Sequence, residues 1–254
     1  YRRQRQMCIR DSNIVVIHDL YWQDIPTVYR FTQYLYYKLV VAANLRWADV
    51  LLVTTYTNKH RVDQLRNRLA ATSFVLYYIH DGDCRSLGKI EDSQLEKSEF
   101  PKRSNFSVLT VAANTANKNL QGVLTAFELL LKTDSRWQLT IVTDAANAVK
   151  ELAGPLTHAL KVLERVSEAE LLNLYRENLY YWQLSFVEGF GLPLIEALSE
   201  NCRIICSDIP IFREILDDAA CYVNPMDPSS TAELCKDWPL SEDGRSRQAV
   251  FERM

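Results

Sequence analysis

The sequence predicts an α/β protein built on parallel sheets with helices on both faces. Three observations predict it. Short apolar runs alternate with helix-period segments almost throughout the 254 residues. A polar, charged stretch at 81–105, carrying Gly82, Gly88 and Pro101, divides that alternation into two blocks. The composition, 48% hydrophobic and 24% charged, is that of an ordinary globular chain.

In the first block, 14–17 reads as a strand, 27–47 as a long helix with room for breaks, and 50–54 as a strand. A helix over 59–70 and a strand over 74–79 follow. In the second block, 107–112 is a strand and 120–131 a helix. Its apolar residues at 120, 123, 124, 127, 130 and 131 share one face. A strand at 139–142, a short helix at 147–152 and a strand at 160–163 come next. Ser167 and Glu170 then form a capping box for a helix running to 178. The remaining elements are a strand at 179–184, a helix at 193–200, and strands at 203–206 and 221–223. The expected domains are 13–104 and 105–254. Residues 1–12, YRRQRQMCIRDS, are basic and aperiodic, lack the apolar core of a secretory signal, and read as a non-native leader. The helix-like end at 251–254 reads as truncated.

Several function classes fall away on composition. A net charge of −3 argues against a nucleic-acid binder. No apolar run reaches the ~18–20 residues that span a bilayer; the longest, 35–43, is broken by Lys38. A soluble, cytoplasmic protein is expected, with peripheral contact at the inner membrane face left open. Of the six cysteines, only Cys202 and Cys206 are close, without a second pair at zinc spacing. Cys206 and Cys221 fall in strand-like runs, where cysteine is a small hydrophobe. Only 7 residues are glycine, few for a fold that uses glycine in strand-to-helix turns.

The chemistry concentrates in EGFGLPLIE, residues 188–196. A strand ends before it, and Gly189 and Gly191 permit a tight turn that side chains would forbid. Pro193 is placed to occupy the first helical position. The helix start offers N–H groups and a positive dipole end to an anion. Glu188 and Glu196 flank that site as hydrogen-bond acceptors, an arrangement suited to a nucleotide-diphosphate sugar. Glu196 also has a plainer reading, as an acid complementing the helix dipole. The third glycine of a dinucleotide fingerprint is missing.

This stretch resembles the Glu-x7-Glu signature of retaining glycosyltransferases, family 4 in particular. The resemblance continues outward. Residues 166–178 resemble the family's capped helix ending in Leu-Tyr. SDIP at 207–210, Glu214, DAA at 218–220 and Asn224-Pro225 resemble a further stretch. Lys118-Asn119 and His18-Asp19 match two more positions, in the right order. The resemblance implies a GT-B-like architecture, two Rossmann-like parallel-sheet domains facing a cleft, with the N-terminal domain incomplete. It implies transfer of a sugar from a nucleotide sugar to a glycan or lipid-linked acceptor with retained anomeric configuration, in polysaccharide biosynthesis. Glu196 would bind the donor ribose, Glu188 would contact the sugar near its anomeric centre, and Lys118 would neutralise the diphosphate. His18 would meet the sugar and phosphate as a second catalytic candidate. Gly189, Phe190, Gly191 and Leu192 would line the donor. No cofactor and no metal are expected, because Lys118 and the helix N–H groups take the leaving charge.

Departures from the family pattern support an alternative, a non-catalytic homologue that binds a nucleotide or a partner subunit. The stretch 112–117, AANTAN, lacks the usual glycine and arginine. Asn201-Cys202-Arg203 stands where Gly-Thr-Pro is usual, although asparagine can keep the left-handed cap. Thr143 replaces another glycine, and the family's N-terminal glycine-rich loop is absent. A nucleotide-sugar epimerase on the same fold is disfavoured by the helix at 166–178.

Overall fold

The computed structural model describes residues 13–24, 26, 30–48, 50–66, 72–75 and 103–236. The leader at 1–12, most of the polar stretch, the ends of the 59–70 helix and 74–79 strand, and the end at 251–254 lie outside the described residues. The chain divides into two compact units, Tyr1–Tyr78 and Ile79–Met254.

The first unit carries three parallel strands in the order β1-β2-β3: β1 (Ile14–Ile17), β2 (Val50–Val53) and β3 (Thr72–Val75). Between β1 and β2 lie a short helix α1 (Tyr21–Asp24) and α2 (Phe31–Trp47). The latter is one unbroken helix, without the breaks for which the sequence left room. After β2 comes α3 (Tyr56–Arg66), which begins three residues earlier than its apolar pattern indicates. Thr55 explains that early start: its hydroxyl accepts from the Asn58 N–H at 3.0 Å, a side-chain cap that periodicity does not register. Ile17, Leu20, Leu45, Leu51, Val53 and Val62 form the core of this unit.

The second unit is a six-stranded, all-parallel sheet in the order β6-β5-β4-β7-β8-β9. The strands are β4 (Ser104–Val111), β5 (Gln138–Thr143), β6 (Leu160–Glu164), β7 (Asn178–Gln183), β8 (Arg203–Ser207) and β9 (Ala220–Val223). Residues 104 and 105, read from the sequence as the end of the polar stretch, are already strand. Ser104 pairs with Asn178, and the Ser107 hydroxyl bridges a register shift by donating to Ser104 O and accepting from Leu179 N–H. Helices α4 (Leu120–Leu131), α5 (Ala146–Ala153), α6 (Glu168–Glu177) and α7 (Leu192–Ser199) make the crossovers. Two further helices, α8 (Pro210–Leu216) and α9 (Pro228–Lys236), were not read from the sequence, although each opens on a proline, which suits a helix start.

Strand β7 is central, so its aromatic run is buried on both faces: Tyr181 and Trp182 have no exposed surface. Most of the stripe expected on α4 is buried, with Leu120, Val123, Leu124, Phe127 and Leu130 at 3% exposure or less, while Leu131 is partly buried against the same core. The Ser167–Glu170 capping box forms as expected at the start of α6. Asn201, after α7, adopts the left-handed conformation (φ 61°) that glycine would supply. The Arg103 guanidinium then ties two helix ends to the sheet, donating to Arg176 O in the last turn of α6 and to Glu200 O and Asn201 O after α7. Replacing Phe127 by alanine should cost about 3–5 kcal/mol of stability. A urea unfolding curve with a lower midpoint and an unchanged slope is the expected result.

Candidate donor-binding site

The strand order of the second unit, in its own sequence 3-2-1-4-5-6, places a topological switch point between β4 and β7. Chains leaving these neighbours cross to opposite sides of the sheet, which opens a crevice outside their carboxyl ends. The loop after β4 carries Lys118. The loop after β7 carries Glu188, Gly189, Phe190 and Gly191.

Hydrogen bonds stitch the two loops together. Phe186 N–H donates to Asn117 O at 2.8 Å, and Asn117 Nδ2 donates to Val187 O at 3.4 Å. Asn119 is the pivot. It follows a 3-10 turn (Ala116–Lys118) in left-handed conformation, with φ 51°, and caps α4 through its Oδ1, which accepts from Gly122 N–H. Its Nδ2 donates to Leu184 O at 3.0 Å and to Pro225 O at 2.9 Å, joining three loops at one buried side chain. The sequence marked this position only through its resemblance.

Lys118 Nζ meets Glu188 Oε1 at 2.7 Å. Placed just before α4, the lysine opposes the dipole of that helix, and the anion it finds here is a protein carboxylate. Glu188 is 4% exposed, and the same Oε1 accepts from Gln183 Nε2 at 2.8 Å and Ser185 Oγ at 2.7 Å. Neither Gln183 nor Ser185 was singled out from the sequence. A polar residue closing an apolar strand and a serine three residues before the glutamate were the available signals.

Glu196 sits on α7, half-buried, and its Oε2 accepts from Tyr175 OH at 2.9 Å. Burial pushes the Tyr175 phenol far above its ordinary range, with Tyr181 and the Glu196 charge adding to the effect. Tyr175 is therefore a fixed neutral donor. Gly191 has φ 108°, and a Cβ there would lie 3.0 Å from the Phe212 ring and 3.2 Å from Leu194, so glycine is required. The helix start corrects the sequence reading in two ways. The first helical residue is Leu192, which puts Pro193 second. The Leu194 N–H is taken by Gly191 O at 2.9 Å, and proline has none, so this end offers fewer N–H groups than expected.

His18 lies in the first unit, exposed at the carboxyl end of β1. Its carbonyl accepts from Thr54 Oγ1 at 3.3 Å and Asn58 Nδ2 at 3.5 Å, which fixes its backbone. Cys202 and Cys206 are buried free thiols, and Cys202 Sγ donates to Tyr175 O. Among the described residues, no group of three His, Cys, Asp or Glu side chains is placed to hold a metal ion. No described helix is long and apolar enough to cross a membrane.

Asn119→Ala should cost about 3 kcal/mol, combining a lost cap, two orphaned carbonyls and left-handed strain. Asn119→Gly should recover the conformational part alone, so its chemical-denaturation midpoint should fall between wild type and the alanine variant.

Comparison with known proteins agrees with this geometry. Residues 91–250 match the family model described as glycosyl transferases group 1. The O-antigen chain mannosyltransferase RfbU of Salmonella typhimurium is 29% identical over 246 residues, covering 93% of this chain and 63% of that protein. The serotype-specific mannosyltransferase WbdA of Escherichia coli is 32% identical over 207 residues, covering 79% of this chain and 23% of that protein. The chain thus spans less than two thirds of these relatives. A UDP-forming α,α-trehalose-phosphate synthase from Burkholderia xenovorans shares the fold at TM-score 0.67 and 16% identity, covering 99% of this chain and 66% of that one. The pneumococcal O-GlcNAc transferase GtfA does so at TM-score 0.63 and 14% identity, covering 83% of this chain and 43% of that one. Fold and sequence together place the paired parallel sheets in the GT-B class, and the chain belongs to the glycosyl transferases group 1 family.

Proposed function

We propose that this chain supplies the donor site of a retaining mannosyltransferase. It would take GDP-mannose as donor and a glycan or lipid-linked glycan of a surface polysaccharide as acceptor, at the cytoplasmic face of a membrane. The observation that carries the reading is the Lys118–Glu188 pair at the switch point of a 3-2-1-4-5-6 sheet. The choice of sugar draws on relatives named as mannosyltransferases. One of them is a GDP-mannose:cellobiosyl-diphosphopolyprenol α-mannosyltransferase of Komagataeibacter xylinus, 27% identical over 129 residues.

In the proposed reaction the bond from the anomeric carbon to the diphosphate oxygen breaks, and a bond to an acceptor hydroxyl oxygen forms on the same face. The hydroxyl proton passes to the leaving diphosphate. Lys118 Nζ would take the developing phosphate charge, a role for a preorganised cation that requires no metal. Glu188 would accept from sugar hydroxyls, and Glu196, oriented by Tyr175, would accept from the ribose. Gly189, Phe190, Gly191 and Leu192 would bring backbone close to the donor.

At a hundredfold excess over its dissociation constant, GDP should stabilise the protein by ~2.7 kcal/mol, a rise of roughly 5–10 °C in Tm. UDP, ADP and CMP should do less, and Glu196→Ala should remove the shift. Mannosyl transfer followed by mass spectrometry should fall at least about a hundredfold in Glu188→Ala. A shift with UDP alone would overturn the donor assignment. No shift with any of the four would overturn the proposal and favour the non-catalytic homologue.

A further inference from the structure

We infer that Gln183 is a positioning residue which, with Ser185, holds the Glu188 carboxylate in place while Lys118 turns to the donor's diphosphate. The inference rests on the donor-site reading of Lys118 and Glu188. Its starting point is a surplus of donors. Glu188 Oε1 receives Lys118 Nζ at 2.7 Å, Gln183 Nε2 at 2.8 Å and Ser185 Oγ at 2.7 Å. A carboxylate oxygen has about two lone-pair sites. Three donors on one oxygen are more than its own satisfaction demands.

The donors are of two kinds. Gln183 and Ser185 are neutral, buried, and lie five and three residues before Glu188 on the same strand and loop. They stay with the carboxylate whatever the neighbouring loop does. Lys118 comes from that neighbouring loop, is charged, and keeps 22% of its side chain exposed. It is the donor that can be shared with an incoming anion. When it turns away, a glutamate with 5% of its side chain exposed would be left charged in a low-dielectric site unless other donors remain.

The surroundings of Gln183 support this role. It closes β7 as a buried polar side chain, between Trp182 and Leu184, which are also buried. Its amide is fixed at both ends, because Tyr181 OH donates to Oε1 at 3.2 Å while Nε2 donates to Glu188. Reversing the amide would set its NH2 against that hydroxyl and withdraw the donor from the carboxylate. Burial, and after it the charges of Glu188 and Glu196, hold the Tyr181 phenol well above its ordinary range, so it stays a donor. The Tyr181 ring in turn stands edge-on to Tyr175, with centroids 5.7 Å apart, and Tyr175 OH holds Glu196. One buried line of side chains therefore carries both carboxylates of the signature.

The test combines two measurements on the full chain. In the first, without nucleotide, urea midpoints are compared for wild type, Lys118→Met, Gln183→Leu and the double variant. Each single variant removes one of the three donors that meet Glu188 Oε1, whereas the double removes two of them. The double should lose clearly more than the two singles together. An additive loss would overturn the inference. In the second, GDP affinity is measured by titration calorimetry. Gln183→Leu should weaken it about tenfold when Glu188 is present and less than twofold in the Glu188→Gln background. An equal loss in both backgrounds would overturn positioning through Glu188. Should Gln183→Leu not fold, Ser185→Ala replaces it in both measurements, with an expected loss of about threefold in affinity. If the stability loss exceeds additivity but wild type binds none of GDP, UDP or ADP, Lys118 does not turn to a diphosphate. The proposed function and this inference then fall together. If nucleotide binds and the losses add, only this inference falls.

Discussion

A charge buried at the end of a central strand governs the arrangement of the second unit. Taking a carboxylate out of water costs several kcal/mol, and the cost is offset only where donors surround it closely. Glu188 satisfies that condition through a cation from one loop and two neutral donors from its own. The loop after β4 is consequently bound to the loop after β7, and neither can be displaced without exposing the other. Asn119 makes the same junction from the backbone side, joining the start of α4 to Leu184 and Pro225. The crevice that every parallel sheet of this order offers is thereby given fixed walls.

That constraint also explains how the site persists with few glycines. In a strand-to-helix turn, glycine supplies left-handed backbone and close approach. Here asparagine supplies the first at 119, with φ of 51°; in the helix-to-strand turn after α7, Asn201 does the same with φ of 61°. Its side chain can bond locally, which lowers the penalty that most residues would meet there. Asn119 uses its side chain for three hydrogen bonds, so the substitution adds fixation that glycine could not give. Gly191 is retained, since at φ 108° and 3.0 Å from the Phe212 ring no side chain fits.

How much of this was legible in the sequence follows from the range of the forces involved. Strand and helix identity in the second unit could be read because each buried face repeats at a fixed period, as α4 does at 120, 123, 124, 127 and 130. The capping box of α6 was equally local, and so was legible. Helices α8 and α9, of seven and nine residues, were not read from the sequence, although each opens on a proline. Pro193 was assigned the first helical position because its fixed φ suits that place. Gly191, by taking the cap, moved it to the second. Glu188 was read as an acceptor beside the glycine turn and Lys118 through motif resemblance, but their contact spans 70 residues and depends on which strands are neighbours. Gln183 was illegible for a different reason: its partners Tyr181 and Glu188 are near in sequence, but only the turn after β7 brings the three together.

The same physics bears on what a partly exposed lysine does in such a site. A fully buried ion pair would be closed to ligands, and a fully exposed one would add little to either partner. Lys118 lies between these limits, with 22% of its side chain exposed against 5% for Glu188. The asymmetry assigns the parts. In the proposed site the carboxylate is the fixed member, held by neighbours in its own segment, and the ammonium is the member that would change partner. In the proposed donor site, an anion entering the crevice would meet a cation already paired, so binding would exchange one anion for another without creating a bare charge. Such an exchange costs little reorganisation, provided the carboxylate left behind keeps its remaining donors.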